Sequence, residues 1–500
     1  MTTSKSSSLP TILEEIVSAR RGHLADIRAR IGGVEAASLP TSQRSLYNAL
    51  QGSHRFILEC KSSSPSLGLI RESYHPADIA RIYSRYAAAI SVLCEPDRFG
   101  GDYDHLATVA SSTHLPVLCK DFIIDEVQVV AARYFGADAI LLMLSVLDDA
   151  EYRQLSSLAA RLGLDVLTEV LDEEEMARAT SLGARIIGVN HRNLHDLSID
   201  LSRSTELAPL APTDAVLLAE SGIKDHVTVE KLGGVVNGFL VGSQLTSQPD
   251  IDAAARALIY GENKVCGLSS PAAAQAACAA GAVYGGLIFE HASPRYVSRE
   301  TSAAIMAAEP GLRYVAVSRQ RSGYRDYADS GVYAVQIHAP LSDTWEGEKQ
   351  LISAVRAEVG PEVQVWRAIS MSSEHGARMA EAHASGGLVD KLVLDNGEGG
   401  TGESFDWATI PDNVKNRALI AGGVSPENID EALGTGCVGV DLNSGVEYGS
   451  AAGETWQYRK NSAAIRRAFA AIKDFHFAPP APQGEAAEHP DITDQGHDQR

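Results

Sequence analysis

Cysteine is scarce in this chain: six in 500 residues (Cys60, Cys94, Cys119, Cys266, Cys278 and Cys437), scattered and never spaced C-x-x-C. Such usage argues against a disulfide framework or a thiolate metal site and points to a reducing cytoplasm. The N-terminus, Met1-Thr2-Thr3-Ser4-Lys5-Ser6, carries no apolar core of a signal peptide. No apolar run approaches the roughly 20 residues that a bilayer-spanning helix needs. Positive charge is in deficit, with 43 Lys and Arg against 64 Asp and Glu, a net charge of −21. A nucleic-acid partner is therefore not expected, because its phosphates would be repelled. A small anionic substrate stays compatible if a few lysines and arginines are focused in one cleft.

Short apolar runs are abundant, and they end alike. Phe56-Ile57-Leu58 runs into Glu59-Cys60-Lys61, Val117-Leu118-Cys119 into Lys120, Val166-Leu167-Thr168 into Glu169, Ile186-Ile187-Gly188-Val189 into Asn190 and Val216-Leu217-Leu218-Ala219 into Glu220. A continuous apolar run is the signature of a buried parallel strand. Polar groups at the C-terminal end of strand after strand are how a (β/α)8 barrel writes its catalytic face into a sequence. Strand-like runs fall at 56–60, 90–95, 116–120, 139–144, 165–170, 185–190, 215–220 and 238–242. A second series follows at 264–268, 284–289, 313–318, 334–338, 363–369, 391–395, 417–421 and 438–442. Amphipathic stretches such as 76–86, 149–162 and 271–280 separate them. The fold class expected is α/β, two tandem (β/α)8 barrels of about 250 residues each. An additional helix over 12–31 precedes the first barrel and either caps it or borders its pocket. The expected divisions are 1–257, 258–477 and a disordered, Pro-rich and acidic tail, 478–500. The halves share no close sequence similarity.

In the first half, Glu59, Lys61, Lys120, Glu169, Asn190, Arg192 and Glu220 converge on one mouth, where carboxylates and lysines supply acids and bases. Ser221-Gly222 and Gly242-Ser243 follow the last two strands, the usual place for a phosphate in such barrels. The segments Glu59-Cys60-Lys61-Ser62-Ser63-Ser64-Pro65-Ser66, Leu118-Cys119-Lys120-Asp121-Phe122, Leu167-Thr168-Glu169-Val170, Asn190-His191-Arg192-Asn193-Leu194 and Ala219-Glu220-Ser221-Gly222 resemble those of indole-3-glycerol-phosphate synthase, in order, over about 10–255. The resemblance implies decarboxylation, cyclisation and dehydration of 1-(2-carboxyphenylamino)-1-deoxyribulose 5-phosphate. It makes Lys120 the general acid, Glu169 an acid or base, and Lys61 a second proton donor held by Glu59. Asn190, Arg192, Glu220 and Ser221 then bind substrate, while Ser64, Gly222, Gly242 and Ser243 hold the phosphate. Leu67, where a basic residue is common, and His191 are departures.

In the second half the first strand ends Lys264-Val265-Cys266-Gly267-Leu268. Buried cysteines are usually small core hydrophobes, which suffices for Cys60, Cys94 and Cys437. Cys266 has different company: Ser293-Pro294-Arg295, Gln336-Ile337-His338, Asp395-Asn396, the glycine-rich run 397–402, Ala421-Gly422-Gly423 and Asp441-Leu442-Asn443-Ser444-Gly445. Together these resemble phosphoribosylanthranilate isomerase over about 262–473. The resemblance implies an Amadori rearrangement with Cys266 as base and Asp395 as acid. It gives Arg295 the anthranilate carboxylate, makes His338 and Asp441 substrate ligands, and assigns the phosphate to Gly422, Gly423, Asn443 and Ser444. Ala339, Ser318 and Arg367 stand where glycine, an aromatic and lysine are usual.

The two resemblances are consecutive steps of tryptophan biosynthesis. They imply one cytoplasmic bifunctional enzyme, a monomer, acting on phosphorylated anthranilate derivatives, with no cofactor, no metal, and neither nucleic acid nor membrane as partner. Two alternatives concern the second barrel: a broader aminoaldose isomerase, or a ligand-binding barrel without turnover.

Overall fold

The computed structural model describes residues 11–64, 68–193, 197–397 and 404–478. The first barrel closes eight strands: β1 Arg55–Cys60, β2 Ala89–Leu93, β3 Val117–Lys120, β4 Ala139–Met143, β5 Asp165–Val170, β6 Ile186–Asn190, β7 Val216–Glu220 and β8 Gly238–Val241. Each pairs in parallel with the next, and β8 returns to β1 with Arg55 opposite Gly238. The second closes β9 Lys264–Val265, β10 Tyr284–Ile288, β11 Arg313–Ser318, β12 Ala334–Ile337, β13 Gln364–Ser370, β14 Lys391–Asp395, β15 Ala418–Ile420 and β16 Gly439–Leu442 in the same order. All sixteen runs read from the sequence are strands. The largest shortening is β9, which stops at Val265 because Gly267 turns out of the extended region at φ +70°.

Period-2 alternation divides each barrel's core in two. Ile57, Leu118, Leu141, Leu167, Leu218 and Leu240 fill the first interior, while Leu58, Val92, Cys119 and Ile140 face the helices. Val315, Trp366, Val393 and Leu419 fill the second interior. The helix foreseen over 12–31 spans Thr11–Arg30, and those over 76–86, 149–162 and 271–280 are Pro76–Tyr83, Asp149–Arg161 and Pro271–Ala280. Among the described residues no helix is long and apolar enough to cross a membrane.

The helix Ile251–Tyr260 is followed by Gly261 at φ +82°, and two residues later β9 begins. Tyr260 packs edge-on against both Tyr86 and Phe469, one ring from each half. The chain then returns: the Phe477 amide donates to the Glu230 carbonyl, and His476 stacks on His54. Residues 479–500, most of the tail assigned from the sequence, lie outside the described residues.

Candidate active sites

A cavity of about 280 Å³ opens at the C-terminal ends of β1–β8. Strand parity sends Glu59, Lys120, Glu169 and Glu220 into it or directly beneath it. Lys61 Nζ lies 2.7 Å from Glu59 Oε1, and Lys120 Nζ lies 2.8 Å from Glu220 Oε2 and 3.7 Å from Glu59 Oε2. Burial alone would depress the Lys120 ammonium, but Glu220, Glu59 and Glu169 together hold it above its ordinary value. Despite burial, Lys61 and Lys120 keep Glu59 below the usual carboxylate range. Glu169 goes the other way: burial first, then the Glu220 charge, push it up to about 8, against Lys120 and the Asn190 amide, whose Nδ2 donates to Oε1 at 3.2 Å. Two carboxylates of one cavity are thus driven apart in proton affinity, the pattern of an acid–base site.

Asn190, Arg192, Ser221, Gly222, Gly242 and Ser243 also line this cavity. Glu220 sits behind the Lys120 head, 1% exposed. Ser64 and Glu220 are the two foreseen residues that fall outside the lining; Ser64 is buried on the hairpin Ser63–Ser64 and Gly68–Leu69. Leu67 and Leu194 lie outside the described residues. His191 is buried in a structural role, its ring bonded to the Ser221 carbonyl and the Ser204 hydroxyl.

The second cavity, also about 280 Å³, takes in every residue foreseen for it: Cys266, Arg295, His338, Asp395, Gly422, Gly423, Asp441, Asn443 and Ser444. Burial first, then Asp441, push Asp395 up to about 6. His338 Nε2 stands 3.8 Å from Asp395 Oδ2, and burial with the nearby cations Lys264, Arg367 and Arg319 drives the imidazole down to about 3, so it is neutral. Burial raises the Cys266 thiol, and Lys264 opposes the rise. Arg295 forks onto Glu447, its Nε and Nη2 donating at 2.7 and 2.9 Å, which leaves Nη1 outside that pair. Of the glycine-rich run 397–402, all but Gly397 lies outside the described residues.

The two mouths share a backbone. After the seventh strand, Ser221-Gly222 have φ +68° and +77°, and Gly422-Gly423 have +76° and +71°. Ser221 is a non-glycine in left-handed space, a strain that concentrates at functional sites. After the eighth strand, Gly242 (φ −121°, ψ −91°) and Asn443 (φ −128°, ψ −95°) each lead into one short helical turn. A Cβ on Gly242 would stand 2.3 Å from Glu59 Oε1, so the cradle and the charged pair are built against each other.

Sequence reading gave no role to several residues that complete these sites. Asp121 lines the first cavity and binds Arg20 of the N-terminal helix, 3% exposed, through Nε at 2.9 Å and Nη2 at 2.5 Å. Lys264 lies fully buried beneath the second cavity. Glu447 collects both Arg295 and Lys460, and the Lys460 ammonium also donates to the Asn443 side chain at 2.8 Å. Parity was the available signal for Lys264, two residues before Cys266 on one strand; the others depend on loop closure.

Known proteins match this arrangement. Residues 13–258 match the family model described as indole-3-glycerol phosphate synthase, and 263–452 that of N-(5'phosphoribosyl)anthranilate isomerase. The tryptophan biosynthesis protein TrpCF of Corynebacterium glutamicum is 67% identical over 475 residues, covering 94% of this chain and 100% of the relative. TrpCF of Yersinia pestis is 47% identical, covering 81% and 84%. Among solved structures, TrpF from Jonesia denitrificans is 27% identical, covering 43% of this chain and 97% of that one, with a TM-score of 0.34. With both halves matched in order and a relative aligned along its entire length, the chain belongs to the TrpCF family of bifunctional tryptophan-biosynthesis enzymes, an indole-3-glycerol phosphate synthase followed by a phosphoribosylanthranilate isomerase.

Proposed function

We propose that the residues gathered in the two mouths divide the chemistry between 258–477 and 1–257, in that order of action. In the C-terminal unit, Asp395, protonated below about pH 6 in the free site, gives its proton to the ring oxygen of N-(5-phosphoribosyl)anthranilate as the ring opens. Cys266, as thiolate, takes the C2 proton, and the enol relaxes to the ketone. Arg295 Nη1, free of the Glu447 fork, meets the anthranilate carboxylate. His338 and Asp441 hold the sugar, and Gly422, Gly423, Asn443 and Ser444 the phosphate.

In the N-terminal unit, Lys120 protonates the substrate carbonyl oxygen as the aromatic carbon attacks. Carbon dioxide leaves, and Glu169 and Lys61 deliver the proton with which hydroxide departs as water. Asn190, Arg192, Glu220 and Ser221 orient the substrate, and Ser64, Gly222, Gly242 and Ser243 hold its phosphate. No cofactor enters either step. The reading extends to a monomer in the cytoplasm without a nucleic-acid partner, which the net charge of −21 favours.

One observation carries the reading: Lys120, its Nζ 2.8 Å from Glu220 and 3.7 Å from Glu59, shares a cavity with Glu169, which holds its proton up to about pH 8. The test is turnover. Purified chain given phosphoribosylanthranilate releases indole-3-glycerol phosphate and CO2. Lys120→Ala stops only the second step, with the ketone accumulating, and Cys266→Ala stops only the first. Loss of both activities from either substitution would refute the division of roles.

A further inference from the structure

Lys264 opens β9, and its side chain is fully buried. Lysine is almost never so placed without a partner. Here Nζ stands 2.7 Å from Asp441 Oδ2 and 2.7 Å from Gln336 Oε1, contacts that join β9, β16 and β12 across the barrel interior. Two of three ammonium protons are thereby used. Parity puts Cys266 on the same inward face, with Val265 turned to the helices. Gly286 on β10 shows how close the two are: a Cβ there would lie 2.7 Å from Cys266 Sγ and 2.9 Å from Lys264 Cε. The bare glycine is the gap into which both side chains fit.

Lys264 and Asp441 stand below Cys266, Lys460 beside Asn443 and Arg295 after β10 stand around it, and Asp395, His338, Glu290 and Arg319 share its cavity. Asp441 Oδ1, the oxygen that Lys264 does not take, is buried with no hydrogen-bond partner, and Asp441 lines the cavity. A buried, unpaired carboxylate oxygen costs free energy unless something donates to it.

We propose that Lys264 is a positioning residue of the isomerase: its buried ammonium stabilises the thiolate of Cys266 and holds the Asp441 carboxylate through Oδ2. The inference rests on Cys266 being the base. When the thiolate takes the C2 proton, its charge vanishes beside Lys264, and the ammonium remains neutralised by Asp441. Burial works against the thiolate, and Lys264 is the largest influence opposing it.

The test follows the thiolate directly. In the full-length protein, alkylation of Cys266 by iodoacetamide is measured against pH, with peptide mass spectrometry separating it from the five other cysteines, none of which lines this cavity. Lys264→Met is expected to move the alkylation midpoint up by about one pH unit, the size of effect one adjacent charge exerts. Isomerase kcat/KM then falls roughly tenfold at pH 7 and partly recovers at pH 9, while synthase activity is unchanged. Lys264→Arg keeps the charge and returns the midpoint towards its original value. Should Lys264→Met not fold, Lys264→Met/Asp441→Asn is compared with Asp441→Asn alone, which removes the stranded carboxylate from the comparison. Coincident midpoints in whichever comparison folds would overturn the inference. Cys266→Ala retaining isomerase turnover would instead refute the assignment of the base.

Discussion

Glu220 is shared unequally: Oε2 takes the Lys120 ammonium at 2.8 Å, while Oε1, buried without a hydrogen-bond partner, faces Gly188 of β6, where an added Cβ would lie 2.0 Å away. A glycine in a buried strand is costly in chain entropy and packs nothing, so its reason here is the carboxylate. Gly188→Ala must displace Glu220 and with it Lys120. The expected result is a loss of about 10²-fold or more in synthase kcat/KM, the contribution of one positioned proton donor. Isomerase kcat/KM on the same protein is unchanged, which makes it the internal control.

Glu169 carries a linkage consequence. Its folded value of about 8 lies above the ordinary 4.5, so the native state keeps a proton that the unfolded chain gives up. Its contribution is fully present below about 4.5 and is lost as pH rises through about 8. Glu169→Gln removes the ionisation. Calorimetry is expected to give the variant the same melting temperature as the parent at pH 4.5 and a higher one at pH 8, with synthase activity lost. A gap that does not widen with pH would mean Glu169 is ionised in the native state.

The strands were legible because a buried parallel strand must be apolar along its whole length, and their polar ends were legible because nothing apolar is needed at the mouth. Thus Lys120, Glu169, Cys266 and Asp395 fall where the runs end. Buried cations were not legible. Arg20 finds Asp121 across 101 residues, and Lys264 finds Asp441 across 177. In the sequence each reads as an ordinary charged residue, and only barrel closure supplies its partner. Ser64 was legible only as part of a motif: it lies on the two-residue strand Ser63–Ser64, and the residues that follow it, 65–67, lie outside the described residues.

Arg367 anchors a fully buried triad with Glu348 and His383. Its Nε and Nη2 donate to Glu348 at 2.8 and 3.0 Å, and Nη1 reaches the carbonyls of Ile337, Ala339 and Ala368. His383 Nε2 completes the Glu348 shell at 3.2 Å. Arg367→Lys keeps the charge but offers three donors from one point instead of a planar fork. Several carbonyls around His338 lose their partner, and stability is expected to fall by about 3 kcal/mol. All four tryptophans, Trp345, Trp366, Trp407 and Trp456, lie in the second half. Urea unfolding followed by tryptophan fluorescence therefore reads this barrel alone, and an unchanged midpoint would show the fork to be dispensable.

The pair between Arg20 and Asp121 ties the N-terminal helix to the residue after Lys120. Asp121 also accepts from the Tyr103 hydroxyl at 2.9 Å and, through Oδ1, from the Phe122 amide at 2.9 Å, so it fixes the chain on both sides of the turn that aims Lys120. Arg20→Met strands a buried carboxylate, and a stability loss of about 3–5 kcal/mol is expected. Replacing both partners, Arg20→Met/Asp121→Leu, removes the stranded charge and recovers most of that stability, because a buried pair exchanged for apolar groups is often neutral. Synthase activity does not recover with it: the Phe122 amide has lost its acceptor, and kcat stays about tenfold low, since small misplacements of a proton donor are expensive. Isomerase activity is unaffected throughout. Recovery of synthase kcat in step with stability would show that Arg20 and Asp121 hold the barrel together and do nothing for Lys120.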